Sequence, residues 1–322
     1  MGAGLLGGCT TSKYLFQATR GQLELLNRAR PFKEVIADER TSPRVRKLLE
    51  EVPRIKAFGE KKGIKPTSNY VEYVELKRPA AVWVVSACRP LKFESKEWSF
   101  PIVGRFPYLG WFDRGDADEF AAGLRKEGWD VDVRGAAAYS TLGWFRDAVL
   151  SSMIPEGEAA LGSLVNVVLH ESVHATWYLD GQAFFNESLA SFVADQLTPE
   201  YLGVEHGESA SALKAYLDGE KSGEERVKSL RDAFVQLEQL YASEALTDEE
   251  KLAKKATLLR ALEKKLGFKR ELNNATLVQF KTYNTGFGEF EKLLARCGND
   301  WTRFWKKMRE VTSGHFPRTQ SQ

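Results

Sequence analysis

Apolar residues recur at three- and four-residue steps along the first sixty positions. Leu23, Leu25 and Leu26, then Val45, Leu48, Leu49, Val52 and Ile55, follow a helical period. Pro31 and the Thr41-Ser42-Pro43 step break that run, with Ser42 as an N-cap and Pro43 at a first helical position. The period then changes. Ala80 to Cys88 (AAVWVVSAC) is β-branched and bounded by Pro79 and Pro90, which predicts a buried strand. Trp98 to Val103 predicts another, confined by Pro101 to an edge or a bulge. Asp116 to Lys126 predicts an amphipathic helix, Trp129 to Val133 an alternating strand, and Gly135 to Gly143 an exposed edge strand. Helices return over 157–178 and 184–197.

From Glu208 to Arg270 charges of both signs become dense. Val227, Leu230, Phe234, Leu237 and Tyr241, then Leu259, Leu262 and Leu266, keep the helical step, and Thr247 with Glu250 forms a capping box. This predicts an antiparallel helical hairpin with a solvated charged face. The tail from Arg318 is expected to be disordered. The expectation is an α+β fold, predominantly α, with a small mixed β-sheet. Residues 13–322 form a single domain, with the hairpin inserted at about 208–270.

The composition narrows the function. The 322 residues carry 46 Lys+Arg against 44 Asp+Glu, a net charge of +2, which argues against a nucleic-acid binder. No apolar run is long enough to span a membrane. Cys9, Cys88 and Cys297 lack the spacing of a disulfide scaffold or a cysteine-rich zinc module. Leu6-Gly7-Gly8-Cys9 resembles a bacterial lipobox, so residues 1–12 read as a lipoprotein signal remnant with Cys9 as the lipid anchor. The other reading is a Gly-rich loose terminus.

One constellation carries chemistry. His170-Glu171-Ser172-Val173-His174 is H-E-x-x-H inside an apolar helical run. Residues four apart share a helix face, so both imidazoles can reach one Zn2+ ion. Glu171, one position on, can act as the base beside a metal-activated water. A catalytic zinc needs a third protein ligand. Glu187, in a predicted helix following the Asp180-Gly181 turn, is the best candidate, with His206 and His315 as alternatives. Asn186 is positioned to anchor the local backbone, and Asp195, two turns on, to support a ligand histidine. Asn186-Glu187-Ser188 also matches a glycosylation sequon.

Several stretches together resemble a bacterial family of zinc-dependent, gluzincin-like aminopeptidases. They are Gly21-Gln22-Leu23-Glu24-Leu25-Leu26, Arg28-Ala29-Arg30-Pro31, Ala138 to Phe145 (AYSTLGWF), the H-E-x-x-H, Phe185-Asn186-Glu187-Ser188, and Asn273-Asn274-Ala275 with Tyr283. The resemblance implies a metallopeptidase core with a zinc helix and a glutamate helix, a peptide substrate, and an envelope lipoprotein. With Thr10 after Cys9, it implies outer-membrane retention and contact with the membrane only through the lipid. It also implies cysteines in the segment around Trp98 to Pro107, where this chain has Ser99 and Arg105. The Gly-Ala-Met-Glu-Asn loop that binds the substrate amine in well-known gluzincin aminopeptidases has no counterpart. Ala138 to Gly143 could instead pair with an extended peptide. Tyr283 and Tyr139 are candidate donors to a tetrahedral oxyanion. Two further readings stay open: an endopeptidase acting on envelope proteins, and a non-catalytic lipoprotein with a structural metal site.

Overall fold

The computed structural model describes residues 6–100, 104–138, 146–179, 182–204, 210–283 and 287–311; within these, the side chains of 6–11, 104–105, 183–184, 210, 279–283 and 287 are outside the description. In chain order come α1 (Leu6–Arg28), β1 (Arg30–Pro31), α2 (Phe32–Ala37), α3 (Pro43–Lys61), β2 (Glu72–Val74), β3 (Val82–Cys88), β4 (Trp98–Phe100), β5 (Gly104–Phe106), β6 (Tyr108–Trp111), α4 (Arg114–Lys126), β7 (Asp130–Ala136) and β8 (Val149–Leu150). There follow α5 (Ala160–Thr176), α6 (Ala183–Val204), α7 (Ala210–Ala242), α8 (Asp248–Leu266), α9 (Asn274–Tyr283), α10 (Phe287–Arg296) and α11 (Trp301–Met308). The fold is α+β and mostly helical. No helix among the described residues is long and apolar enough to cross a membrane.

The chain divides into two compact units, each assembled from three segments. The first comprises Met1–Ala29, Arg78–Ala137 and Glu224–Lys281. Its antiparallel sheet has the order β6-β3-β7. The continuous apolar run of β3 makes it the buried central strand, and Val85 and Ala87 on one face pack with Leu109, Trp111 and Val131 against Ala117, Ala121 and Leu124 of α4. Beside it, β4 pairs with β5, and Ser99 and Arg105 are direct cross-strand partners. The two positions where the family resemblance implies cysteines therefore face each other, and here they cannot be bridged.

The charged hairpin is present in this unit. Leu230, Ala233, Phe234 and Leu237 of α7 pack against Leu259 and Leu262 of α8. Thr247 opens α8 with the expected reciprocal capping box. A buried polar cluster anchors it to the sheet. Lys255 Nζ donates to Asp130 Oδ2 at 2.5 Å and to the Pro90 carbonyl at 2.8 Å. The Asn274 amide donates to the carbonyls of Arg89 and Pro90 at 2.8 and 3.0 Å, its N–H to Asp130 at 2.9 Å, and its Oδ1 accepts from the Tyr241 hydroxyl at 2.7 Å.

The second unit comprises Arg30–Lys77, Ala138–Gly223 and Thr282–Gln322. It holds the mixed sheet β1-β2-β8, in which β2 runs antiparallel to β1 and parallel to β8. α3 begins as the sequence predicts, with Ser42 accepting from the Val45 N–H and Pro43 at the first helical position. It buries Leu48, Leu49, Val52 and Ile55. α5 and α6 form the centre of this unit, lined by Leu164, Val165, Val168 and Leu169 on one helix and Leu189, Val193 and Leu197 on the other.

Candidate metal centre

α5 and α6 run antiparallel, and their contacts repeat every four residues. His174 faces Glu187, His170 faces Glu187 and Ser191, and Asn166 faces Asp195. Each pair lies one helical turn from the next, because residues four apart stack on one face. Gly162 allows α7 to come close. A Cβ there would meet Tyr216 at 2.8 Å, and Tyr216 in turn contacts Asn166 at 3.0 Å.

The reversal between the helices is short, and one side chain holds it. Asn186 accepts the Leu179 N–H and donates to the Leu179 carbonyl, both at 2.8 Å. Trp177 closes α5 with its N–H on Val173 O at 2.9 Å. This two-point clamp fixes where α6 starts and hence where Glu187 stands. Asn186 and Ser188 are both buried, so the sequon is inaccessible in the folded chain. The Asp180-Gly181 turn lies outside the described residues.

The three side chains converge. His170 Nε2 lies 3.3 Å from one Glu187 oxygen, and His174 Nε2 lies 3.5 Å from the other. One donor atom from each residue falls within 4.8 Å of the other two. Charge-assisted hydrogen bonds close to about 2.7–2.9 Å, and these pairs do not. The two distances run to different oxygens, so the carboxylate sits between the imidazoles, and the three residues are close enough together that they could hold one metal ion. Two imidazole nitrogens and a carboxylate oxygen are also a donor set that zinc accepts. The histidine side chains are 18% and 8% exposed and the Glu187 side chain 34%, so the carboxylate side is the more open.

The local field favours a cation. Burial lowers the His170 pKa, but the Glu187 carboxylate and the charges of Glu171 and Asp195 outweigh it, and the net shift is upward. His174 is pushed down to about 4, first by burial and then by the His170 charge, against the opposing pull of Glu187. The carboxylates thus hold a proton more firmly on His170 while His174 stays neutral, and a metal bound by both imidazoles would have to displace that proton.

A family model described as "Putative aminopeptidase" matches residues 13–321. The chain belongs to this family. No curated protein and no solved structure matches it. Membership in an aminopeptidase family supports a peptidase-like function for the site just described.

The other residues that the sequence singled out fall into two groups. Glu171 lies on α5 next to His170, partly buried, and its charge is felt by the buried Tyr70, whose phenol is held well above its usual pKa by burial and then by Glu171 and Asp147. Asp195 bonds Asn166 at 2.9 Å; Ser191, a turn nearer Glu187, is the group that faces His170 Nδ1, at 3.5 Å. Tyr139, His206 and His315 lie outside the described residues. Tyr283 ends α9, but its side chain is outside the description, as is that of Cys9 in α1. Cys88 and Cys297 are buried free thiols. Sequence reasoning passed over Ser191, Asn166 and Tyr178. The first two follow from the four-residue step once Glu187 is placed. Tyr178 has no such signal.

Proposed function

We propose that this chain is a zinc-dependent metallopeptidase, and an aminopeptidase by preference, with His170, His174 and Glu187 holding one Zn2+ ion. The convergence of one donor atom from each of the three residues, all within 4.8 Å of one another, carries the reading. When bound, the zinc supplies Lewis acidity, which activates water and polarises the scissile carbonyl of a peptide. Asn186 and the close α5–α6 contact hold Glu187 in place, and Ser191 limits the rotation of His170. Glu171, one residue from the first ligand, takes the proton as water attacks and returns it to the leaving amine. A phenol from Tyr283 or Tyr139 would donate to the developing oxyanion. In this reading the protein is a gluzincin-like envelope lipoprotein, anchored to the outer membrane through lipid on Cys9.

Two measurements test it. Glu171→Gln should keep its zinc and lose roughly a hundredfold or more in peptidase turnover, the scale of general-base loss. Full turnover in that variant would remove Glu171 from the mechanism. Free-amine and N-acetylated peptides should then be compared on the parent enzyme. Cleavage of the free-amine peptide alone supports an aminopeptidase, and equal cleavage of both makes the chain an endopeptidase.

A further inference from the structure

Tyr178 follows the end of α5 by two residues. Trp177 before it has an extended backbone (φ −152°, ψ 129°), so successive side chains leave the chain on opposite sides. Trp177 packs with its ring centroid 5.4 Å from that of Phe185, which itself lies 5.3 Å from Phe290. Tyr178 stays 45% exposed, its ring centroid 6.4 Å from that of His174 and its plane inclined at 73°. The backbone on either side is fixed. The Trp177 N–H is bonded to Val173, and Leu179 is held at both its N–H and its carbonyl by Asn186. The exposure of this ring is therefore not a consequence of a slack segment.

Single exposed apolar side chains are ordinary on protein surfaces. Position sets Tyr178 apart. The His170 and His174 rings are 5.0 Å apart, and the Tyr178 ring stands beside that of His174. An extended peptide advances about 3.3–3.6 Å per residue. A carbonyl brought to the three ligands keeps the side chain of its own residue within a few ångströms of them, and Tyr178 is the exposed ring beside His174. Tyrosine suits such a contact, because it offers a broad apolar face with only two side-chain torsions to immobilise.

We propose that Tyr178 is a specificity-determining residue whose ring receives an apolar or aromatic side chain on the substrate residue that supplies the scissile carbonyl. This rests on the metallopeptidase reading of the neighbouring site. No step of the hydrolysis is assigned to the phenol; the contact is made by the ring face.

The experiment uses the zinc-loaded full chain carrying Glu171→Gln, so that peptides bind without being cleaved. Binding of two free-amine tetrapeptides, identical except for Phe or Ser at the first position, is measured by calorimetry, together with zinc content. Added Tyr178→Ala should weaken the Phe peptide tenfold or more and the Ser peptide less than threefold, with zinc stoichiometry unchanged. Added Tyr178→Phe should restore the preference. In the cleaving enzyme, Tyr178→Ala should raise KM for the Phe peptide far more than it lowers kcat. Equal weakening of both peptides would overturn the proposal, as would Tyr178→Phe behaving like Tyr178→Ala. If the zinc-loaded Glu171→Gln protein binds neither peptide, the metallopeptidase reading fails and the subsite falls with it. Intact binding with no effect at Tyr178 overturns the subsite alone.

Discussion

In one unit Asp130, Lys255 and Asn274 are drawn together at 2.5–3.0 Å, with Tyr241 and two backbone carbonyls completing the set. In the other, His170, His174 and Glu187 converge from two helices and stop at 3.3 and 3.5 Å. Both clusters put a carboxylate and nitrogen groups into the interior, where unpaired polar atoms are costly. The first cluster satisfies its members from within and needs nothing further. The second gathers three side chains that could hold one metal ion. The difference separates a polar cluster closed by its own hydrogen bonds from one whose groups approach without closing.

Breaking the first cluster should cost stability alone. Lys255→Met leaves Asp130 without its buried cation, and we expect a loss of about 3–5 kcal/mol in denaturant unfolding, the same with and without zinc. A loss below about 1 kcal/mol would mean that the cluster does not anchor the hairpin.

Asn186→Ala acts on the scaffold of the second cluster. It removes two hydrogen bonds and leaves both polar groups of Leu179 unsatisfied, for a cost of about 2 kcal/mol. Unlike Lys255→Met, it should also weaken zinc binding, because Glu187 loses its fixed starting point. Unchanged zinc affinity in a destabilised Asn186→Ala protein would show that the clamp serves folding only.

The smallest effect concerns Cys88, on the central strand beside the first cluster. Burial, then the charge of Asp130, pushes its thiol up to about 12, with Lys255 pulling the other way. The thiolate is the reactive form, so labelling of Cys88 in the native chain should be slow at pH 8 and quicken as pH rises towards that value. Rapid labelling at pH 8 would contradict a closed cluster.

Much of the second cluster was legible from the sequence because its determinants are local. H-E-x-x-H puts two imidazoles on one helix face by helical periodicity, and Glu187 follows the second by thirteen positions in a short reversal. Asn186 was expected to anchor the backbone, and it binds Leu179. Asp195 was expected to support a ligand histidine. It bonds Asn166 and its charge acts on His170, while the four-residue register of the helix pair puts Ser191 opposite the His170 ring. The first cluster was hidden, since Asn274 and Asp130 stand 144 residues apart and no local pattern links them. Asn273-Asn274 entered only through the family resemblance. The strand expected at Trp98 to Val103 is described as β4 as far as Phe100. Of the edge strand expected at Gly135 to Gly143, Gly135 and Ala136 end β7, Ala137 and Ala138 are outside any strand, and the rest lies outside the described residues. After Arg270 the sequence suggested no element, yet three helices follow. Two of them, α10 and α11, are amphipathic but only ten and eight residues long, so each carries few repeats of the helical step.

The most direct measurement is the zinc content of purified full-length protein after equilibration with excess zinc and removal of the free ion. One zinc per chain is expected in the parent and in Glu171→Gln, and almost none in Glu187→Ala, with the metal-free Glu187→Ala protein still folded. Stoichiometric zinc in Glu187→Ala at parental affinity, or no zinc in the parent, would contradict the three-ligand zinc site.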